Sequence, residues 1–201
     1  MTITYEYHHS LYVNLTNRCS NACTFCVRNK HDNVNGQDDL WLDHEPSLAE
    51  IKADFERRDL KQYDSVVFCG YGEPAMRFDD LIAIAKWIKE KYPSMPIRIN
   101  TNGQANLICG RDVTPEMEGC IDCVSISLNA ENADKYQKLC VSEFGGETAF
   151  QALQEFAGLA KRYVPEVVFS VVDIMREEEI EACRLIAEAC GVKFRVREFI
   201  Q

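Results

Sequence analysis

The feature that most constrains the fold is an alternation of six short apolar runs with stretches of helical periodicity. The runs are rich in Val, Ile and Phe and end in turn residues, which is typical of β-strands. They are LYVNLT (11–16), SVVFCG (65–70), PIRINT (96–101), CVSISL (123–128), EVVFSVV (166–172) and FRVREFI (194–200).

The segments between these runs carry helix signals. Ser47 followed by Glu50 forms a capping box, and three glutamates open the last helix, where the helix dipole favours anions. Gly191 then stands in a position typical of a helix C-terminus. The apolar residues that recur at helical steps are Leu48, Ile51 and Phe55; Leu81, Ile84, Ala85 and Ile88; Phe150, Leu153, Ala157 and Ala160; and Ile180, Cys183, Ala187 and Cys190.

Strands that alternate with helices predict right-handed βαβ units and a parallel sheet. A closed eight-stranded barrel typically needs about 250 residues, and this chain has 201. We therefore predict an α/β fold, a partial, incompletely closed (β/α)6 TIM-like barrel, with an open doubly wound sheet as the alternative. Residues 1–201 are expected to form a single domain. In either architecture the functional loops follow the C-terminal ends of the strands.

Composition narrows the class of protein. The net charge of −10 and pI of about 4.9 disfavour a broad electrostatic grip on nucleic acid. No run approaches the roughly 18 apolar residues of a membrane span, and residues 1–16 lack the pattern of a signal peptide. We therefore expect a cytoplasmic protein. In a reducing compartment, ten cysteines are more typical of metal binding or catalysis than of a disulfide framework.

Three of those cysteines are gathered in NRCSNACTFCVRN, residues 17–29, directly after the first predicted strand. Cys19, Cys23 and Cys26 have the spacing C-x3-C-x2-C. Three thiolates suit zinc, for which His31 is placed to be a fourth ligand. They also suit a [4Fe–4S] cluster, which usually takes four cysteines, so that three leave one iron open.

This spacing, with Phe25 in the aromatic position, resembles the Cys-x3-Cys-x-aromatic-Cys signature of the radical SAM superfamily. The resemblance implies that Cys19, Cys23 and Cys26 hold a [4Fe–4S] cluster and that S-adenosylmethionine (SAM) chelates the remaining iron. It implies cleavage of SAM to methionine and a 5′-deoxyadenosyl radical, which abstracts hydrogen from an unknown substrate. A protein is one candidate substrate, and a flavodoxin or ferredoxin is the expected type of reductant.

The end of the second predicted strand, FCGYGEP (68–74), resembles the Gly-Gly-Glu-Pro stretch of the same superfamily. The resemblance implies that Gly72, Glu73 and Pro74 hold the methionine amino group of SAM. Tyr71 replaces the usual first glycine, and Gly70 is expected to supply flexibility instead. A buried glutamate at this place needs a partner, for which an ammonium group is suitable.

The next two strand ends carry polar side chains on a single face. RINTNG (98–103) resembles the superfamily's ribose-contact segment, with Asn100 in the usual Asp position. SISLNA (125–130) resembles the Ser-Leu-Asn-Ala stretch of radical SAM activating enzymes, which implies cofactor contacts for Ser127 and Asn129. For each side chain alone, an ordinary polar strand end remains the alternative.

On the last strand, Lys193, Arg195 and Arg197 share a face. One interpretation places Arg197 in the barrel lumen, bound to a carboxylate of cofactor or substrate. The alternative is a solvated outer face.

The order of these motifs is most similar to the TatD-linked radical SAM proteins. The segments that carry this similarity are LYVNLTNRC, CTFCVR, FCGYGEP, VSISLNA and FRVREFI. The alternative function is a zinc or Fe–S adaptor protein that keeps the fold without cleaving SAM.

The remaining cysteines have weaker patterns. Cys183 and Cys190 are expected in the core, and for Cys69 a packing role is favoured over a place in the site. A second cluster on Cys109, Cys120, Cys123 and Cys140 is disfavoured, because residues three apart on an extended segment point to opposite faces.

Overall fold

The computed structural model describes residues 1–29, 33–34 and 38–198, which include the six predicted strands up to residue 198. The predicted zinc ligand His31 and the last residues of the sixth predicted strand lie outside the described residues. The strands are β1 (Thr4–Tyr7), β2 (Ser10–Val13), β3 (Asn33–Val34), β4 (Asp38–Asp39), β5 (Ser65–Phe68), β6 (Ile97–Thr101), β7 (Cys123–Ser127), β8 (Glu166–Val172) and β9 (Lys193–Arg197).

Seven of the described strands form one sheet in the order β1-β2-β5-β6-β7-β8-β9. Strands β2 to β9 of this sheet pair in parallel, and only β1 is antiparallel to its neighbour β2. In the described part of the chain β1 and β9 are the two edges, so the sheet is not closed. The predicted six parallel strands of a partial TIM-like barrel are confirmed. Strands β3 and β4 pair separately as a short ribbon.

The described helices lie between the parallel strands, as the periodicity predicts. They are α1 (Leu48–Phe55), α2 (Phe78–Lys91), α3 (Ala105–Cys109), α4 (Ala133–Cys140), α5 (Gly146–Ala160) and α6 (Glu177–Cys190). The Ser47–Glu50 capping box is present at α1, and Gly191 ends α6 in the left-handed conformation. Among the described residues, no helix combines the length and apolar character needed to cross a bilayer.

The two faces of the sheet differ in chemistry. The face toward the helices is apolar and fully buried, with side chains such as Val66, Phe68, Ile97, Ile126 and Phe169. Each large apolar side chain buried in this way stabilises the fold by about 1.5–3 kcal/mol. The opposite, inner face carries Asn, Ser, Cys and Arg side chains on β6, β7 and β9. The apolar face therefore holds the fold together and leaves the inner face available for chemistry.

The N-terminal hairpin is a feature that the sequence reading missed. Strand β1 precedes the first predicted strand, and the chain reverses at His8, whose φ is 51°. The first predicted strand, 11–16, is observed as Ser10–Val13, so its last three residues already belong to the loop that leads to the cysteines. The pattern of Thr and Tyr in TYEY is compatible with a strand, but no Gly or Asn marks the turn.

Gly103, after β6, is required by its surroundings as well as by its φ of +78°. A Cβ atom there would lie 2.8 Å from both Ile126 Cγ2 and Leu153 Cβ. We expect Gly103→Ala to lower the free energy of unfolding by about 2–4 kcal/mol in urea denaturation, because strain and overpacking add. Gly110 has a φ of +65° with open space around it, so Gly110→Ala should cost only about 1 kcal/mol. Equal losses would show that packing at Gly103 is unimportant.

Candidate active site

One cavity of about 250 Å³ opens at the C-terminal ends of the parallel strands. Its lining residues come from the C-terminal ends of β6, β7, β8 and β9 and from the loops after β2, β5, β6, β7 and β9. They are Cys19, Asn21, Cys23, Phe25, Cys26, Val27, Cys69, Gly70, Tyr71, Gly72, Glu73, Asn100, Thr101, Asn102, Ser127, Asn129, Val172, Arg197 and Glu198. The residues that the resemblance assigned to the cluster or to SAM are all in this set except Pro74, which is buried at the start of a short 3₁₀ helix.

The loop that follows β2 carries the three motif cysteines to one wall of the cavity. All three are half-buried, and the backbone N–H of Asn21 donates to Cys19 Sγ at 3.4 Å. Burial, followed by the nearby Glu73 carboxylate, raises the pKa of Cys19 to about 12. Burial also raises the pKa of Cys26. Among the described residues, no three Cys, His, Asp or Glu side chains are already arranged as a metal site, so the ligand roles stay predictions.

A fourth thiol lies against this group. A hydrogen bond with Cys140, followed by burial, raises the pKa of Cys23. Cys140 is 1% exposed at the end of α4. The other cysteines considered for a second cluster lie apart from it, on α3, before β7 and on β7. A metal role for these cysteines stays disfavoured on the sequence argument alone.

The cysteine loop is held by a buried polar network centred on Gln104, which is fully buried. Ser20 and Ser142 donate to Gln104 Oε1 at 2.9 and 3.1 Å. Gln104 Nε2 donates to Asn21 Oδ1 and to Tyr136 OH, both at 2.9 Å. The network joins the loops after β2, β6 and α4, and thereby fixes the position of the backbone between Cys19 and Cys23. Sequence analysis missed these residues, whose separations along the chain leave no local signal.

Glu73 links the loop after β5 to the loop after β6. Its Oε1 accepts from Thr101 Oγ1 at 2.7 Å and from Ala75 N at 3.0 Å, and its Oε2 accepts from Asn102 N at 2.7 Å. Its backbone N–H donates to Arg18 O at 2.8 Å. Burial raises the pKa of Glu73, and these hydrogen bonds partly offset that effect. Contrary to the sequence-based argument, the buried carboxylate therefore has protein partners and does not need an ammonium group to satisfy it.

The glycines of the GYGEP turn permit close backbone packing. A Cβ at Gly72 would lie 2.2 Å from Thr16 O and 2.6 Å from Arg18 O. A Cβ at Gly70 would lie 2.1 Å from Asn14 Oδ1. Gly70 is therefore needed because a larger side chain would collide with Asn14, and not for the flexibility that the sequence analysis expected.

Tyr71, between these glycines, is 3% exposed and also lines the cavity. Its ring packs edge-on against that of Trp41 with centroids 5.1 Å apart. The aromatic residue thus anchors the turn at the point where the superfamily motif has glycine.

Several polar atoms of the cavity wall have no hydrogen-bond partner among the described residues. They are Asn100 Oδ1, Asn129 Oδ1 and Arg197 Nε, and all three are buried. Buried polar atoms are normally paired, so these atoms indicate a place for a polar ligand. The three thiols line the same cavity. The thiols and these polar atoms together fit an iron–sulfur cluster and a bound ligand that carries hydroxyl and carboxylate groups.

The structure also shows which way the arginines of β9 point and where Cys69 lies. Arg197 Nη2 donates to Ser127 Oγ at 3.5 Å and Arg195 Nη2 to Ser125 Oγ at 3.2 Å. Arg195 and Arg197 therefore lie on the inner face of the sheet and not on its outer face. Cys69 lines the cavity, which is the place that the sequence analysis gave as the alternative to a packing role.

A comparison with known protein families identifies the group to which the chain belongs. The family model described as the radical SAM superfamily matches residues 13–190. The chain belongs to this superfamily. Members of this superfamily use a [4Fe–4S] cluster and SAM. No curated protein sequence matches the chain significantly.

Solved structures share the radical SAM fold at low sequence identity. TYW1 with a lysine-pyruvate adduct bound is 15% identical, with a TM-score of 0.63, and the match covers 98% of this chain and 66% of that chain. Methylornithine synthase (PylB) is 16% identical, with a TM-score of 0.65 and coverage of 95% and 53%. SuiB from Streptococcus suis bound to SAM is 15% identical, with a TM-score of 0.63 and coverage of 94% and 38%. The chain thus spans 38–66% of the length of these proteins.

Removal of the Gln104 amide should destabilise the loop that carries the cysteines. We expect Gln104→Leu to lower the free energy of unfolding by about 2–4 kcal/mol, because it leaves several buried hydroxyl and amide groups without partners. The matched control is Gln151→Leu on the exposed side of α5, which should change it by less than about 0.5 kcal/mol. Urea denaturation measures both, and equal effects would contradict a structural role for the network.

Proposed function

We propose that this chain is a TatD-linked radical SAM enzyme in which Cys19, Cys23 and Cys26 hold the [4Fe–4S] cluster. The observation that carries the proposal is that these three thiols share one cavity with buried, unpartnered polar atoms of Asn100 and Asn129. When bound, the cluster supplies the electron that splits SAM into methionine and a 5′-deoxyadenosyl radical, which takes hydrogen from the substrate.

The residues of the cavity position SAM beside the thiols. We assign the ribose hydroxyl groups to the Asn100 and Asn129 amides, whose Oδ1 atoms are free to accept. Ser127, whose hydroxyl is in contact with Arg197, is assigned to the same polar wall. Phe25 lies on the cysteine loop and lines the same cavity. These contacts orient SAM and exclude water from the radical.

The methionine end of SAM is assigned to the GYGEP turn. Because three protein donors occupy the Glu73 side chain, the amino group is better served by backbone carbonyls of the turn. Glu73 then acts as a positioning residue that holds this backbone against β6, with Gly72 allowing the close approach and Pro74 starting the following 3₁₀ helix.

The subgroup, location and partners remain proposals. The TatD-linked assignment rests on the segments quoted from the sequence, and the cytoplasmic location rests on the use of cysteine. A flavodoxin or ferredoxin is the proposed reductant. The edge at β9, which is open in the described part of the chain, is compatible with a protein substrate as well as a small molecule.

Anaerobic reconstitution tests the cluster assignment. We expect about four irons and four sulfides per chain and release of 5′-deoxyadenosine when reductant and SAM are added. Single Cys19→Ser, Cys23→Ser and Cys26→Ser variants should lose both iron and product. Cys109→Ser, on α3 outside the cavity, should retain them. Wild-type protein that holds iron yet releases no product would contradict the enzyme assignment.

The amide assignment predicts a separate effect on SAM affinity. Asn100→Ala should weaken SAM binding by about tenfold, because the lost hydrogen bond is worth about 0.5–1.5 kcal/mol and an ordered side chain is lost from the wall. Equilibrium dialysis with cluster-loaded protein measures this change. Asn106→Ala, outside the cavity, should bind SAM as the wild type does. Unchanged affinity in Asn100→Ala would remove Asn100 from the cofactor site.

A further inference from the structure

The inner face of the sheet below the cavity is basic. Asn100 on β6 and Arg197 on β9 line the cavity. Because strand side chains alternate between faces, Arg98 and Arg195, each two residues earlier, project from the same inner face. They lie about 6–7 Å nearer the N-terminal ends of the strands. The three arginines thus share the inner face of the sheet, with Arg197 at the cavity and the other two below it.

Each of these guanidinium groups has one hydroxyl acceptor among the described residues. Arg98 Nη2 donates to Tyr12 OH at 3.2 Å, as Arg195 does to Ser125 and Arg197 to Ser127. A guanidinium carries five N–H donors. The Nε atoms of Arg98 and Arg197 are buried and have no partner in the described part of the chain.

No described carboxylate forms a salt bridge with Arg98, Arg195 or Arg197. Glu166, on the inner face of β8, is paired with Lys193, which together with the more distant charge of Arg195 lowers the pKa of Glu166. Burial lowers the pKa of Arg197, and the positive charges of Arg195 and Arg98 lower it further. The chain as a whole has a net charge of −10. The basic lumen is therefore a local arrangement that overall composition does not explain.

The buried Nε groups of Arg98 and Arg197 cost free energy while they lack an acceptor. A carboxylate or phosphate group would supply the missing acceptors in the geometry that guanidinium prefers. We propose that Arg98 and Arg195, with Arg197 above them, bind the anionic end of the substrate, a small molecule with a carboxylate or phosphate group. This inference rests on the proposed function, because the rest of that molecule then points up into the cavity beside SAM.

Titration calorimetry at low ionic strength tests the site with inorganic phosphate and malonate as separate probes. The protein is loaded with cluster and SAM. We expect the wild type to bind at least one of the two probes. Binding of only phosphate or only malonate identifies the class of anion that the site takes. Arg98→Gln and Arg195→Gln should each weaken that binding about tenfold, the effect of losing a charge-assisted hydrogen bond. Arg57→Gln, whose side chain is 79% exposed on the outer surface, should bind as the wild type does.

Thermal melting of the same variants separates binding from folding. Each substitution removes one of three neighbouring positive charges, so Tm should stay the same or rise. Arg195 is exposed, which makes Arg195→Gln informative even if Arg98→Gln fails to fold.

The inference is overturned if neither probe binds, if both variants bind the probes as tightly as the wild type, or if they weaken SAM binding instead. Release of 5′-deoxyadenosine is measured on the same preparations. Protein that cleaves SAM but binds neither anion contradicts only the anion site. Protein that binds anions through these arginines but never cleaves SAM contradicts only the proposed function.

Discussion

The Glu73 carboxylate is the interaction on which the geometry of the site depends. It joins the ends of β5 and β6 through the Thr101 hydroxyl and the Asn102 backbone, and its own backbone holds Arg18 next to Cys19. A buried carboxylate is costly unless it is hydrogen-bonded, and here three donors offset the cost. The same carboxylate adds to the raised pKa of Cys19, so it contributes both position and negative charge to the wall that carries the thiols.

The buried network around Gln104 complements this link from the other side. Glu73 fixes the start of the cysteine loop, and Gln104 fixes its middle through Ser20 and Asn21. Fully satisfied polar networks of this kind are rigid because each member restricts its neighbours. The loop is thereby held in place while its thiols still face the cavity.

Much of the fold was predictable because its signals are local. Val-, Ile- and Phe-rich runs, the Ser47–Glu50 capping box and Gly191 each report on a few neighbouring residues, and the structure places them as predicted. Strand β1 was missed because the turn at His8 uses a residue with positive φ that gives no glycine signal. The role of Gly70 was misjudged because its constraint is Asn14, a residue far away in sequence.

The sequence by itself determined the alternating α/β architecture, the thiol spacing and the faces of single strands, since periodicity and motif spacing depend only on nearby residues. Only the tertiary structure decided that Glu73 is satisfied by protein donors, that Gln104 anchors the cysteine loop, and that Arg98, Arg195 and Arg197 share one inner face. Those contacts join residues tens of positions apart. Their partners are set by sheet order and register, which no local pattern encodes.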